Sequence, residues 1–226
     1  MSKGIFITAT GTDVGKTYVS GLIVKKLRQH GYRAGYYKAA LSGAELINGK
    51  LIAGDAEHVR QVSGLQADNL VSYVYKAAVS PHLAAQIENL PIEIKKLEAD
   101  FKKTKSEFDY ITVEGSGGIV CPLRIDDEII MLTDIIKAFK LTVIIVAPSG
   151  LGSINSSVLT AEYAKMQDIP VKGIIMNQYE PGNFLHEDNQ KQIEFLTGLS
   201  VIAHVPLGAD DLTIDAEALA AIYTEV

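Results

Sequence analysis

The chain has 226 residues, 47% of them apolar and 21% charged, which is the balance of an ordinary globular protein with one sizeable core. One cysteine, Cys121, excludes an internal disulfide, and a net charge of −6 argues against nucleic acid as a partner, because that binding rests on clustered cations. No apolar run approaches the roughly 18 residues of a membrane span, and no charged segment precedes a long apolar stretch as in a signal peptide. A cytoplasmic protein with neither a membrane nor a nucleic-acid partner is therefore expected, folded as one domain over residues 1–226.

Apolar runs of strand length alternate with amphipathic stretches of helical length. The pattern predicts a strand at Gly4–Thr8 and a helix at Lys16–His30 ended by Gly31. A strand follows at Arg33–Tyr37, then a long loop at Ala39–Gly54 and a short helix at Asp55–Val62. Leu70–Tyr75 reads as extended, a helix starts at Pro81, and Ile92–Glu107 is a charged helix. Tyr110–Val113 is a strand, Met131–Phe139 a helix and Thr142–Ala147 a strand. Ile154–Met166 is a helix, Val171–Met176 a strand, Asn177–Leu185 a second long loop and Glu187–Leu196 a helix. Val201–Val205 and Ala216–Tyr223 close the chain as strand and helix. Runs such as Val143-Ile144-Ile145-Val146 do not alternate apolar with polar, so their strands are expected to be buried on both faces. The fold class is α/β: a mostly parallel central sheet with helices on both faces.

Ligands of such sheets gather at the carboxyl ends of the strands. The first strand delivers Thr8-Ala-Thr-Gly-Thr-Asp-Val-Gly-Lys-Thr17, a glycine-containing turn with Gly15-Lys16-Thr17 opening a helix. Backbone N–H groups at a helix N-terminus cradle anions, Lys16 adds a point charge over β- and γ-phosphates, and the Thr17 hydroxyl suits Mg²⁺. This is a phosphate-binding loop, so the fold is P-loop NTPase-like and a nucleotide with Mg²⁺ is the expected ligand. The usual glycine five residues before Gly15 is missing: Thr10 is there, and glycine comes one later at Gly11.

The other strand ends carry Lys38 with Ser42-Gly43, Glu114-Gly115-Ser116-Gly117-Gly118, Ser149-Gly150-Leu151-Gly152-Ser153-Ile154-Asn155, Asn177, and Pro206-Leu207-Gly208. These are expected to converge on one cleft. Glu114 after an apolar run is costly to bury without a cation, so it reads as a Mg²⁺ ligand or as the partner of a lysine. Asp55 reads as a second ligand or as a helix N-cap. Lys38 reads as a second cation over a transferring phosphoryl group. His82, after Ser80-Pro81, reads as a structural residue at a helix start, and Cys121 as packing. The small residues Gly150–Asn155 read as a tight turn or as a second anion seat. No nucleophile elbow, His/Cys metal cluster or dinucleotide fingerprint is present in the sequence.

In this order and spacing the motifs resemble the dethiobiotin synthetases, ATP-dependent carboxylases of biotin biosynthesis. The resemblance runs from Lys3 to about Asp211. It rests on Thr12-Asp13-Val14-Gly15-Lys16-Thr17, Tyr37-Lys38 with Ser42-Gly43, Asp55, Ser80-Pro81-His82, Glu114 to Gly118, Leu151 to Asn155, Asn177 and Pro206. It implies that 7,8-diaminononanoate, CO2 and Mg-ATP are the substrates, joined through a carbamate and its mixed anhydride with phosphate. It implies that Lys16 and Lys38 are catalytic, that Thr17, Asp55 and Glu114 hold Mg²⁺, and that Thr12 and Ser42 contact the diamine. Nucleotide contacts fall by resemblance on Asp13, Val14, Gly15, Lys16, Thr17, Gly115, Ser116, Gly117, Asn177, Pro206, Leu207 and Gly208, with Asn177 reading adenine. It also implies a homodimer whose active sites lie at the interface, Gly150, Leu151, Gly152, Ser153, Ile154 and Asn155 of the partner subunit seating the substrate carboxylate.

Three positions depart from the family pattern. Ala9 stands where glycine is usual, Asp13 where glutamate is, and Gln178 where aspartate often follows the adenine-reading asparagine. If the position of Ala9 needs φ > 0, alanine costs on the order of 1 kcal/mol, with Gly11 expected to absorb it. A ParA/MinD-like switch ATPase shares the loop, but those proteins usually carry an extra signature lysine near its start and Ala9–Val14 contains none. A related amide-forming synthetase with another substrate is the remaining alternative.

Overall fold

The structure is a computed structural model and describes residues 2–226. In chain order its elements are β1 (Lys3–Ala9), α1 (Lys16–Gln29), β2 (Ala34–Leu41), β3 (Glu45–Ile47), β4 (Lys50–Ile52), α2 (Gly54–Ser63), β5 (Val71–Val74), α3 (Pro81–Ile87) and α4 (Ile94–Glu107). Then come β6 (Tyr110–Glu114), β7 (Pro122–Ile125), β8 (Ile129–Met131), α5 (Leu132–Ala138), β9 (Val143–Pro148), α6 (Ser153–Met166), β10 (Val171–Asn177), α7 (Phe184–Thr197), β11 (Val201–Val205), α8 (Ala216–Ile222) and β12 (Thr224–Glu225).

The central sheet has the order β11-β10-β9-β1-β6-β2-β5, all parallel. β1 is central because both of its edges are used: β6 lies along one side from Lys3 to Ile7, and β9 along the other from Phe6 to Ala9. The stretch that β9 leaves free is closed by antiparallel β12, which pairs with Lys3 and Gly4. Alternate β1 residues enter two separate cores. Ile5, Ile7 and Ala9 pack with Val19, Leu22 and Ile23 of α1 and Leu219 of α8. Phe6 belongs to the core that holds Leu97 and Phe101 of α4, Ile135 and Ile136 of α5, and Ala161 and Ala164 of α6. That division is the two-sided layering expected of parallel strands. None of the helices of the described residues is long and apolar enough to cross a membrane.

The predicted strands and helices are all present, with shifted ends and three additions. β2 runs on to Leu41, and the expected loop Ala39–Gly54 contains the hairpin β3–β4. A second hairpin, β7–β8, and the short β12 were not expected. These strands have two to four residues each and carry no run of β-branched residues long enough to signal them. α4 starts at Ile94 instead of Ile92, and α7 at Phe184 instead of Glu187, where Asn183 accepts a hydrogen bond from the Leu185 amide as N-cap. α3 begins with Pro81 at its first turn, as predicted for the helix that carries His82.

Candidate active site

The loop between β1 and α1 opens on a cavity of about 420 Å³. Its walls include Thr12, Asp13, Gly15, Lys16 and Thr17 from the loop, Lys38 and Ser42 from β2 and beyond, Asp55 from α2, and Glu114, Ser116 and Gly117 from the end of β6. Leu41 also lines it and was not anticipated. α1 has no side-chain N-cap and no acidic residue in its first turn, so its leading N–H groups are left for an anion.

The backbone explains the loop sequence. Gly15 has φ 92°, and a Cβ added there would stand 2.1 Å from Asn177 Nδ2. Asn177 occupies that space because its amide donates to the Val14 carbonyl at 2.9 Å. The other left-handed residue is Asp13 at φ 58°, a conformation that aspartate tolerates better than most side chains. The expectation of strain at Ala9 is corrected: Ala9 ends β1, pairs with Val146, is fully buried and is not among the residues with positive φ. Gly11 likewise has no positive φ and absorbs no strain; its carbonyl accepts a hydrogen bond from Lys16 Nζ at 3.0 Å.

Strand register builds the charged wall. In the β2–β6 ladder Lys38 stands directly opposite Glu114. Lys38 Nζ donates to Glu114 Oε1 at 2.7 Å and to Asp55 Oδ2 at 2.5 Å. Thr17 Oγ1 donates to the same Glu114 oxygen at 2.8 Å, and the Tyr36 hydroxyl donates to Glu114 Oε2 at 3.0 Å. The Glu114 side chain is 0% exposed and that of Lys38 5%, so neither charge is hydrated and each depends on the other. The reading of Glu114 as the partner of a lysine holds, and the same carboxylate oxygen faces the loop threonine. The N-cap reading of Asp55 is corrected. Ala53 is the N-cap of α2, Asp55 is the second helical residue, and its carboxylate turns to Lys38.

Electrostatics follow the geometry. Burial alone would push the Lys38 ammonium down, but Glu114 and Asp55 outweigh it and raise it above the ordinary lysine value. Lys16 shifts the other way, lowered by burial and then by its neighbour Lys38. Burial pushes the Cys121 thiol up to about 11, which fits the packing role read from sequence. The cavity already sets three carboxylates (Asp13, Asp55, Glu114) against two ammoniums (Lys16, Lys38). A polyphosphate entering it requires added cation. Thr17, Asp55 and Glu114 present only hard oxygen donors, and among the described residues no three His, Cys, Asp or Glu side chains are grouped so that they could hold a metal ion by themselves. Two carboxylates, a hydroxyl and phosphate oxygens are the donor set that Mg²⁺ prefers.

A second group of predicted strand-end residues does not line the cavity itself: Asn177 stands against Gly15 of the loop, and Gly150 to Asn155 and Pro206 to Gly208 are absent from the walls. Ser153 is the first residue of α6, with Gly152 as a left-handed N-cap at φ 84°. Leu151 is 88% exposed and Leu207 86%. Gln178 is also exposed and left-handed, at φ 56°. Hydrogen bonds tie this second group to the loop: Asn189 Nδ2 donates to the carbonyls of Ser149 (2.8 Å) and Gly150 (3.0 Å), Ser149 Oγ donates to Asn177 O at 2.9 Å, and Asn177 reaches Val14. Sequence reasoning missed Asn189 and Tyr36. A buried asparagine inside a helix gives no local signal; for Tyr36 the available signal is strand alternation, which puts residues 36 and 38 on one face.

Comparison with known proteins bears on this arrangement. A family model described as an AAA domain (AAA_26) matches residues 3–211. ATP-dependent dethiobiotin synthetase BioD of Clostridium botulinum strain Eklund 17B is 53% identical over 203 residues, 89% of each chain. That of strain 657 is 50% identical over 228 residues, spanning 100% of both. Among solved structures, a ParA family ATPase from Chlorobium tepidum aligns over 98% of this chain and 89% of its own, with TM-score 0.59 and 14% identity. The septum site-determining protein MinD of Pyrococcus horikoshii, complexed with Mg-ADP, aligns over 91% and 82%, with TM-score 0.57 and 16% identity. At such identities the two structures speak for the shared P-loop NTPase fold alone.

Proposed function

This chain belongs to the ATP-dependent dethiobiotin synthetase family and is an ATP-dependent ligase of biotin biosynthesis, and from that premise we propose that it carboxylates 7,8-diaminononanoate with CO2 and closes the ureido ring. One amine adds to CO2 and loses a proton, giving a carbamate. A carbamate oxygen attacks the γ-phosphorus of ATP, ADP leaves, and a carbamic–phosphoric anhydride results. The second amine then attacks the carbamoyl carbon, the C–O bond to phosphate breaks, and phosphate departs with the former carbamate oxygen. No protein nucleophile is needed. The work is positioning and charge stabilisation.

The observation that carries this reading is the buried Lys38–Glu114 pair, with half-buried Asp55 on the same lysine, opening into the same cavity as the phosphate loop. Asp13, Val14 and Gly15 would cradle phosphates, and Lys16 and Lys38 would stabilise charge on the transferring group and the carbamate. Thr17, Asp55 and Glu114 would hold Mg²⁺, which supplies charge neutralisation between β- and γ-phosphates. Gly115, Ser116 and Gly117 would border the nucleotide. Thr12 and Ser42, on the cavity wall, would contact the diamine.

Adenine is assigned to Asn177, Pro206, Leu207 and Gly208. The substrate carboxylate is assigned to Gly150, Leu151, Gly152, Ser153, Ile154 and Asn155 of the partner subunit in a homodimer. The exposure of Leu151 supports the second assignment. The enzyme would act as one domain in the cytoplasm.

Oxygen labelling tests the chemistry. With ¹⁸O-labelled bicarbonate as the CO2 source, each phosphate released should carry one label from the carbamate. Unlabelled phosphate formed together with dethiobiotin would rule out the mixed anhydride.

A further inference from the structure

Tyr36 precedes Lys38 by two residues in β2, so strand alternation puts both side chains on one face of the sheet. Its ring is fully buried, and its hydroxyl donates to Glu114 Oε2 at 3.0 Å. The other carboxylate oxygen, Oε1, accepts from Thr17 at 2.8 Å and from Lys38 at 2.7 Å. Glu114 is thus divided: one oxygen is held from inside the protein and the other meets the loop and the lysine. The terminal torsion of a glutamate is broad and two-fold, so the strand alone does not decide which oxygen faces outward. The glycines that follow Glu114 have no side chain to hold it.

We infer that Tyr36 is a positioning residue for Glu114, its hydroxyl fixing the carboxylate so that Oε1 serves Lys38, Thr17 and the divalent cation. The inference rests on the reading of Glu114 as a metal ligand. Burial, and then the Glu114 charge, push the phenol well above the ordinary tyrosine range, so the hydroxyl remains a donor throughout neutral pH. Outer partners that hold a ligating carboxylate typically matter 10–100-fold (order of magnitude, about one to two decades) in metal affinity. Tyr37 is the built-in control. It is equally buried, it points to the opposite face, and its hydroxyl is shared with Ser72 Oγ at 2.7 Å, away from the cavity.

The experiment is a titration of Mn²⁺ into protein saturated with ADP, read from the spin-resonance signal of free Mn²⁺, with circular dichroism as a check that each variant is folded. Tyr36→Phe should weaken Mn²⁺ binding by about tenfold or more, Glu114→Gln at least as much, and Tyr37→Phe not at all. Adding Tyr36→Phe to Glu114→Gln should then cost nothing further. Wild-type Mn²⁺ binding in Tyr36→Phe with impaired binding in Glu114→Gln overturns the inference, as does equal weakening by Tyr37→Phe or an independent effect of Tyr36→Phe in the Glu114→Gln background. Unchanged Mn²⁺ binding in Glu114→Gln overturns instead the ligand reading beneath it.

Discussion

The two halves of the sheet finish differently at their carboxyl ends. β1, β2 and β6 deliver charges that are buried and bonded to one another: Lys38 reaches two carboxylates, and Glu114 accepts from three donors. β9 and β10 deliver small residues and amides joined by hydrogen bonds from side chains to backbone carbonyls, while Leu151 and Leu207, beyond the ends of β9 and β11, are exposed. The first half is completed by bonds within this chain, and preorganised charge of that kind avoids reorganisation during a reaction. The second half has a rigid scaffold and an open surface, which suits recognition. A relay from Asn189 through Ser149 and Asn177 to Val14 is the physical join between them.

Lys38→Ala should break the first half most severely. Turnover should fall by about 10²–10³-fold or more while nucleotide binding, measured by calorimetry, persists. Stability should drop by about 3–5 kcal/mol, because Glu114 is left buried and unpaired. Lys38→Met combined with Glu114→Gln removes the pair whole and should recover most of that stability without recovering turnover. Recovery of neither would mean that the ion pair is not what the stability loss reports.

Gly15→Ala tests the join. A left-handed alanine and a clash with Asn177 should cost about 1–3 kcal/mol in chemical denaturation and abolish ATP binding. Asn189→Ala tests the second half. It leaves the buried Ser149 carbonyl without the Asn189 donor, at about 1–3 kcal/mol, and should raise KM for the diamine more than KM for ATP. A larger effect on ATP would place the relay wholly on the nucleotide side.

The smallest effect should come from a region belonging to neither half. Burial alone would raise the Asp100 carboxyl, but hydrogen bonds from Lys96, Ser72 and Lys103 outweigh it and hold it below the usual carboxylate value of 3.8. Its contribution to stability is therefore complete above pH 3.8 and is lost as pH falls further. Asp100→Asn should flatten that acid limb by less than about 1 kcal/mol, read from urea midpoints against pH.

The sequence carried the sheet because its strands are long and apolar on both faces, and it carried the phosphate loop because Gly15-Lys16-Thr17 follows a strand and opens a helix. Lys38, Asp55 and Glu114 were legible as strand-end and helix-start charges, and a lysine partner for Glu114 was legible too, but not which lysine it is or that Asp55 shares it. The pairing depends on the register that sets Lys38 opposite Glu114, and register is a property of two distant segments. The hairpins β3–β4 and β7–β8 were too short to announce themselves. The strain assigned to Ala9 was misplaced by a few residues, because the left-handed turn falls at Asp13 and Gly15. Nothing in the sequence ties Tyr36 to Glu114, because that hydrogen bond joins two strands far apart in the chain.

The claim that both halves serve one reaction is tested most directly by phosphate release from Mg-ATP and bicarbonate, with and without 7,8-diaminononanoate. Release should depend on the diamine and match dethiobiotin formed one for one. Release that proceeds at the same rate without the diamine would contradict the account.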